Sequence, residues 1–135
     1  MSDTDSRIES LRPEAQPVCH TWLHICRDDL DLDIRILETL RSPDRQKELE
    51  ASGKSLVTVG WHNVGLAWDF GVFKDGKYIT DDATGIYSKC GIIGEVLGCV
   101  WGGRWQRLHD LGHLEWHPGF TLQQFLNGQS GGQVT

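Results

Sequence analysis

Four of the six histidines, His62, His109, His113 and His117, fall in or beside the most Gly- and Trp-rich parts of the chain. Histidine and carboxylate side chains ligate divalent metals and move protons near neutral pH. In Trp61-His62-Asn63-Val64-Gly65-Leu66-Ala67-Trp68-Asp69-Phe70 a His precedes a Gly turn and an Asp sits inside the next apolar run. Such a pair can converge on one point. A second segment, Trp101-Gly102-Gly103-Arg104-Trp105, leads to Asp110-Leu111-Gly112-His113-Leu114-Glu115. An acid in a run as apolar as Leu66–Phe73 is costly unless it is paired or bound to a cation. Taken singly, His62 and His113 read equally as hydrogen-bonded structural histidines, and Asp69 as a turn cap. His109 and His117 read as surface or cleft-rim residues. On a strand, residues 113 and 115 share a face, so Glu115 reaches the same space as His113.

These side chains need a scaffold. Leu66–Phe73 reads as a buried strand, and Lys74-Asp75-Gly76-Lys77 as a hairpin turn returning through Tyr78 and Ile79. His113–Trp116 reads as the last strand, with a short one at Cys99–Trp101. Ile34, Ile36 and Leu40 alternate with polar residues, which predicts a strand over Asp33–Leu40. Ser55–Val59 suggests a further strand or extended loop. Val18, Trp22, Leu23, Ile25, Cys26 and Leu30 recur at helical spacing and predict an amphipathic helix over Val18–Leu32. Ser42 as cap and Pro43 at the first helical position start a helix running to Ala51 and stopping at Gly53. Ile86–Leu97 is a third helix, ending at Gly98, and Pro118–Leu126 a short terminal one. Residues 1–16, rich in Ser, Asp, Arg and Glu, are expected to be a disordered lead-in. Residues 17–127 are expected to form one α+β domain, and 128–135 a flexible tail.

Composition narrows the partners. The net charge is -6 and no Lys/Arg run exceeds isolated pairs, which argues against nucleic acid. No window approaches the ~20 apolar residues of a membrane span. The four cysteines, Cys19, Cys26, Cys90 and Cys99, lack zinc-knuckle spacing and read as buried thiols of a reducing compartment. No secretory h-region follows Met1, so synthesis as a soluble cytosolic protein is expected. A chain of 135 residues buries enough surface to fold without a metal staple, leaving any metal free for chemistry.

The two His/Asp segments resemble the motifs of the D-Ala-D-Ala carboxypeptidase/L-alanyl-D-glutamate endopeptidase family of zinc peptidases, in its VanY-like and phage-endolysin-like branch. That family shares the Hedgehog/D-Ala-D-Ala-peptidase fold. Its first motif, Ser-X-His-X-X-Gly-X-Ala-X-Asp, stands here as Gly60-Trp61-His62-Asn63-Val64-Gly65-Leu66-Ala67-Trp68-Asp69, with Gly60 in place of Ser. Its second, an acid three residues before a His, is Asp110-Leu111-Gly112-His113. Thr39-Leu40-Arg41-Ser42-Pro43-Asp44-Arg45-Gln46 is similar to the family's Arg-Ser/Thr turn and following Gln.

The resemblance implies a small antiparallel sheet with flanking helices, and Zn2+ held by His62, Asp69 and His113. Two imidazoles and a carboxylate leave zinc a fourth position for water, whose pKa falls to about 7. Asp110 is then the base and Arg41 the oxyanion group, with Glu115 a rival base. Gln46, Trp61 and Trp105 stand as substrate or supporting contacts. The family's Ser is a supporting residue, so Gly60 affects the surroundings of His62 and not the ligand set. The implied activity is cleavage of peptidoglycan stem peptides by a monomeric L-alanyl-D-glutamate endopeptidase. A phage or prophage endolysin of this kind, made without a signal peptide, reaches the wall through a separate membrane pore. D,D-carboxypeptidase or dipeptidase cleavage at D-Ala-D-Ala, and a non-catalytic zinc-containing binding module, are the alternatives.

Overall fold

Strand β2 (Ala67–Lys74) is the element around which the others assemble. The structure is a computed structural model describing residues 3–41, 44, 47–48, 51–52, 60–106 and 109–124. Trp68, Phe70 and Val72 on the even face of β2 are fully buried. The two-residue period therefore turns Ala67 and Asp69 to the opposite face. One edge of β2 pairs antiparallel with β1 (Asp33–Glu38). Its other edge is shared end to end by β5 (His113–Glu115), facing Ala67–Asp69, and β3 (Lys77–Ile79), facing Val72–Lys74. β4 (Val100–Trp101) pairs with β5, giving the order β1-β2-β5-β4. The β2–β3 turn has Asp75 at φ 53° and Gly76 at φ 79°, the left-handed pair that a tight hairpin requires.

Helices α2 (Gln16–His24) and α3 (Ile86–Val96) supply the core that meets the even face. The Trp22 ring lies 4.7 Å from Phe70 and 6.0 Å from Trp68, and its Nε1–H donates to the Cys90 carbonyl at 2.9 Å. The Tyr87 hydroxyl accepts from the Val72 amide at 3.0 Å and donates to the Ile79 carbonyl, fastening α3 to the hairpin. The amphipathic helix expected over Val18–Leu32 is α2 followed by a single π turn, Ile25–Asp29. All four cysteines are buried free thiols.

The N-terminal expectation needs correction. The described part of that segment, residues 3–16, is not a disordered lead-in: Asp3–Glu9 form helix α1, and Thr4, Ile8, Leu11 and Ala15 are buried. Thr4 Oγ1 accepts the Ile36 amide at 3.2 Å, and Arg7 Nη1 donates to the Ile36 carbonyl at 2.9 Å. The segment thus covers the outer edge of β1, which would otherwise present unpaired backbone groups. One apolar helical face suffices for this, so a polar average did not mean disorder.

Residues 44, 47, 48 and 51 are helical, as expected for that stretch. Its proposed ends Ser42, Pro43 and Gly53, the Ser55–Val59 strand and the 128–135 tail lie outside the described residues. Within Pro118–Leu126, residues 122–124 are helical. Among the described residues, no helix is long and apolar enough to cross a membrane.

Candidate active site

The odd face of β2 carries the site. Asp69 stands directly opposite His113 across the β2–β5 ladder, and Ala67 opposite Glu115. The small Ala67 side chain leaves room above it for Glu115. A bulge between Ile36 and Glu38 shifts the β1 register so that Glu38, not Leu37, faces Asp69. Bulges of this kind re-aim a strand end beside a site. Beyond it the Thr39 carbonyl meets His62, and Arg41 meets Asp69 of β2. His62 comes from the 3₁₀ turn Trp61–Val64, which closes on Gly65 at φ 74°. Asn63 Oδ1 accepts the Gly60 amide at 2.8 Å and its Nδ2 donates to the Arg41 carbonyl at 2.8 Å. The turn is therefore tied from its far end where Gly60 offers no hydroxyl.

Hydrogen-bond polarity then defines the centre. His62 Nδ1 lies 2.7 Å from the Thr39 carbonyl, which can only accept, so Nδ1 carries the proton. In the neutral ring the Nε2 lone pair then points at Asp69 Oδ1, 3.0 Å away. His113 Nε2 lies 2.7 Å from Glu115 Oε1, which leaves the Nδ1 lone pair 3.1 Å from the same Asp69 oxygen. Ligand atoms of His62, Asp69 and His113 all lie within 4.8 Å of one another. Three acceptors facing one another require extra protons or a cation. Their types, two imidazoles and a carboxylate, fit zinc with an open fourth position.

The charges agree with this crowding. Burial pushes Asp69 up, but His62 and His113 outweigh it and hold the carboxyl well below the usual range. Burial lowers His113, yet its bonds to Asp69 and Glu115 dominate and raise it to about 10 among protein groups alone. Burial likewise raises Glu115, while the N–H groups of His113 and His117 pull it down to about 2.

The remaining predicted site residues, Gln46 excepted, have defined places. Asp110 begins the tight turn into β5, its amide donating to the Gly102 carbonyl at 3.1 Å. Burial and the negative charge of Asp69 push its carboxyl up, against the opposing pull of His113 and His62. A cavity of about 280 Å³ opens beside it, lined by Tyr78, Thr80, Tyr87, His109, Asp110, Leu111 and Gly112. Arg41 reaches the centre: its Nε donates to Glu38 Oε1 at 2.7 Å and its Nη2 to Asp69 Oδ2 at 3.4 Å. Trp105 lies 4.9 Å from the His113 ring. Trp61 stacks on His117 at 3.8 Å. Gln46 lies outside the described residues. Sequence reasoning missed Glu38, the Thr39 carbonyl and Asn63 as supports. Glu38 and Thr39 depend on a bulge that no residue pattern announces.

Fold and site together define a class: an α+β domain whose antiparallel sheet presents two imidazoles and a carboxylate to one point, in the fold of the VanY and ChiX peptidases. Residues 55–116 match the family model described as D-alanyl-D-alanine carboxypeptidase, so the resemblance carried by the two motifs holds. The peptidoglycan L-alanyl-D-glutamate endopeptidase CwlK of Bacillus subtilis is 35% identical, over 64% of this chain and 62% of its own. The L-alanyl-D-glutamate peptidase of Listeria phage A118 is 30% identical, over 73% of this chain and 36% of its own. The chain thus spans less than two thirds of either relative. The structure of Serratia marcescens L-Ala D-Glu endopeptidase ChiX superposes with a TM-score of 0.70 at 21% identity, covering 86% of this chain and 87% of that one. The D,D-pentapeptidase VanY in complex with Zn(II) gives 0.59 at 11% identity, covering 92% of this chain and 80% of that one.

Proposed function

We propose that this chain is a zinc peptidase that hydrolyses peptidoglycan stem peptides at the L-alanyl-D-glutamate bond. The observation that carries the reading is the convergence of His62 Nε2, His113 Nδ1 and Asp69 Oδ1 with Asp110 on the adjoining turn. Zinc, when bound there, supplies Lewis acidity that polarises a carbonyl and lowers the pKa of water. Asp110 accepts the proton of the attacking water and delivers it to the departing amine. Its raised pKa suits both halves of that transfer. Glu115 is unsuited to the role, because both its oxygens are engaged by His113 and His117. Arg41, fixed by Glu38 and Asp69, offers its guanidinium to the developing oxyanion. The cavity beside Asp110 has a Tyr, Thr and His lining that suits a polar, carboxylate-bearing residue.

One observation favours the endopeptidase over D-Ala-D-Ala cleavage: the curated relatives are named for L-alanyl-D-glutamate cleavage. The phage relative supports a lytic role, for which we infer a separate pore as the route to the wall. Digestion of purified sacculi followed by end-group analysis tests the bond. New D-Glu amino termini are expected; free D-Ala as the main product would replace the endopeptidase reading with the carboxypeptidase one.

A further inference from the structure

We propose that His117, which lies outside both motifs, is a positioning residue for the metal centre; the inference rests on the metal reading above. Glu115 is the link. Its Oε1 accepts from His113 Nε2 at 2.7 Å and its Oε2 from His117 Nε2 at 2.5 Å. The Glu115 side chain is only 9% exposed, so its oxygens depend on those two donors for their hydrogen bonds. With both oxygens occupied, Glu115 has one orientation, and the His113 ring that donates to it has one tautomer. That tautomer leaves Nδ1 bare toward Asp69. Partners of this kind, which orient a ligating histidine through its far nitrogen, raise its basicity and fix its ring.

His117 is itself held in plane. Its ring stacks on Trp61 with centroids 3.8 Å apart and planes 14° apart. Trp61 is the residue before His62 in the 3₁₀ turn, while His117 lies two residues beyond the end of β5. The contact therefore ties the segment carrying one imidazole ligand to the strand carrying the other. The path runs His113–Glu115–His117–Trp61, then along the backbone to His62. Through it, a side chain that meets no ligand directly sets the distance and orientation of two of them.

The test is zinc affinity of the full chain, measured by competition with a chromophoric chelator, for the wild type, His117→Gln and His117→Phe. Gln retains an N–H for Glu115 and loses the ring; Phe retains the ring on Trp61 and loses the N–H. The expected result is a zinc dissociation constant raised roughly 10–100-fold in His117→Phe, with His117→Gln recovering part of the loss. The d–d spectrum of the cobalt-substituted Phe variant is expected to shift as well. Circular dichroism of the metal-free proteins checks that the variants are folded, as the partly exposed position of His117 leads us to expect. Unchanged affinity in both variants overturns the proposal, and so does loss in Gln with none in Phe, which would assign His117 to packing. A wild type that binds no zinc overturns the metal reading itself.

Discussion

Asp110 and Glu115 are both carboxylates beside His113, and their surroundings separate them. Glu115 is held ionised by two imidazole N–H groups. Asp110 is pushed up by burial and by Asp69. A base must be ionised to act, so the rate is expected to fall as pH drops through a value above the ordinary 3.8 of an aspartate. Asp110→Asn is expected to lower kcat by roughly 10²–10⁴-fold and to remove that acid limb, with zinc content unchanged. A pH series of stem-peptide hydrolysis measures both; retention of the full rate would return the base role to another group. The candidate ligands were legible because each sits in a motif with its own Gly or acid neighbour. The choice between Asp110 and Glu115 was not, since strand geometry puts Glu115 on the ligand face and only its partners show that it is engaged.

At the scale of elements, close backbone approach holds β5 in register. The Phe70 amide donates to the Gly112 carbonyl at 2.7 Å, and a Cβ at Gly112 would lie 2.3 Å from the Phe70 carbonyl oxygen. Gly112→Ala is therefore expected to push the turn off β2, costing about 1–3 kcal/mol and weakening zinc binding with it. Denaturant unfolding measures the first, and a change under 0.5 kcal/mol would show that the turn accommodates the methyl. β2 and its Asp-Gly hairpin were readable from an apolar run followed by a left-handed turn pair. The β1 bulge was not. Its sequence alternates cleanly through Ile34 and Ile36, and the slip appears only in the pairing with β2. Yet that slip delivers Thr39 to His62 and Arg41 to Asp69.

For the molecule as a whole, the N-terminal segment belongs to the structure that supports the site. Thr39 Oγ1 donates to the Arg7 carbonyl at 2.6 Å, and the Arg12 amide donates to the Gly65 carbonyl at 2.9 Å. Both contacts flank His62. The signal was present in the spacing of Thr4 and Ile8, one turn apart on the buried face of α1, but composition hid it. Ile8 is completely buried. Ile8→Ala is expected to cost about 2–5 kcal/mol of folding stability. A thermal or denaturant transition unmoved by that change would restore the expectation of a disordered lead-in. The central claim joins the metal to the bond that is cut, and a single measurement addresses it: appearance of D-Glu amino termini from sacculi treated with the wild type before and after chelation. Release that stops on chelation, returns with one equivalent of zinc and stays absent in Asp69→Ala is the predicted result. Undiminished release by the metal-free protein would contradict it.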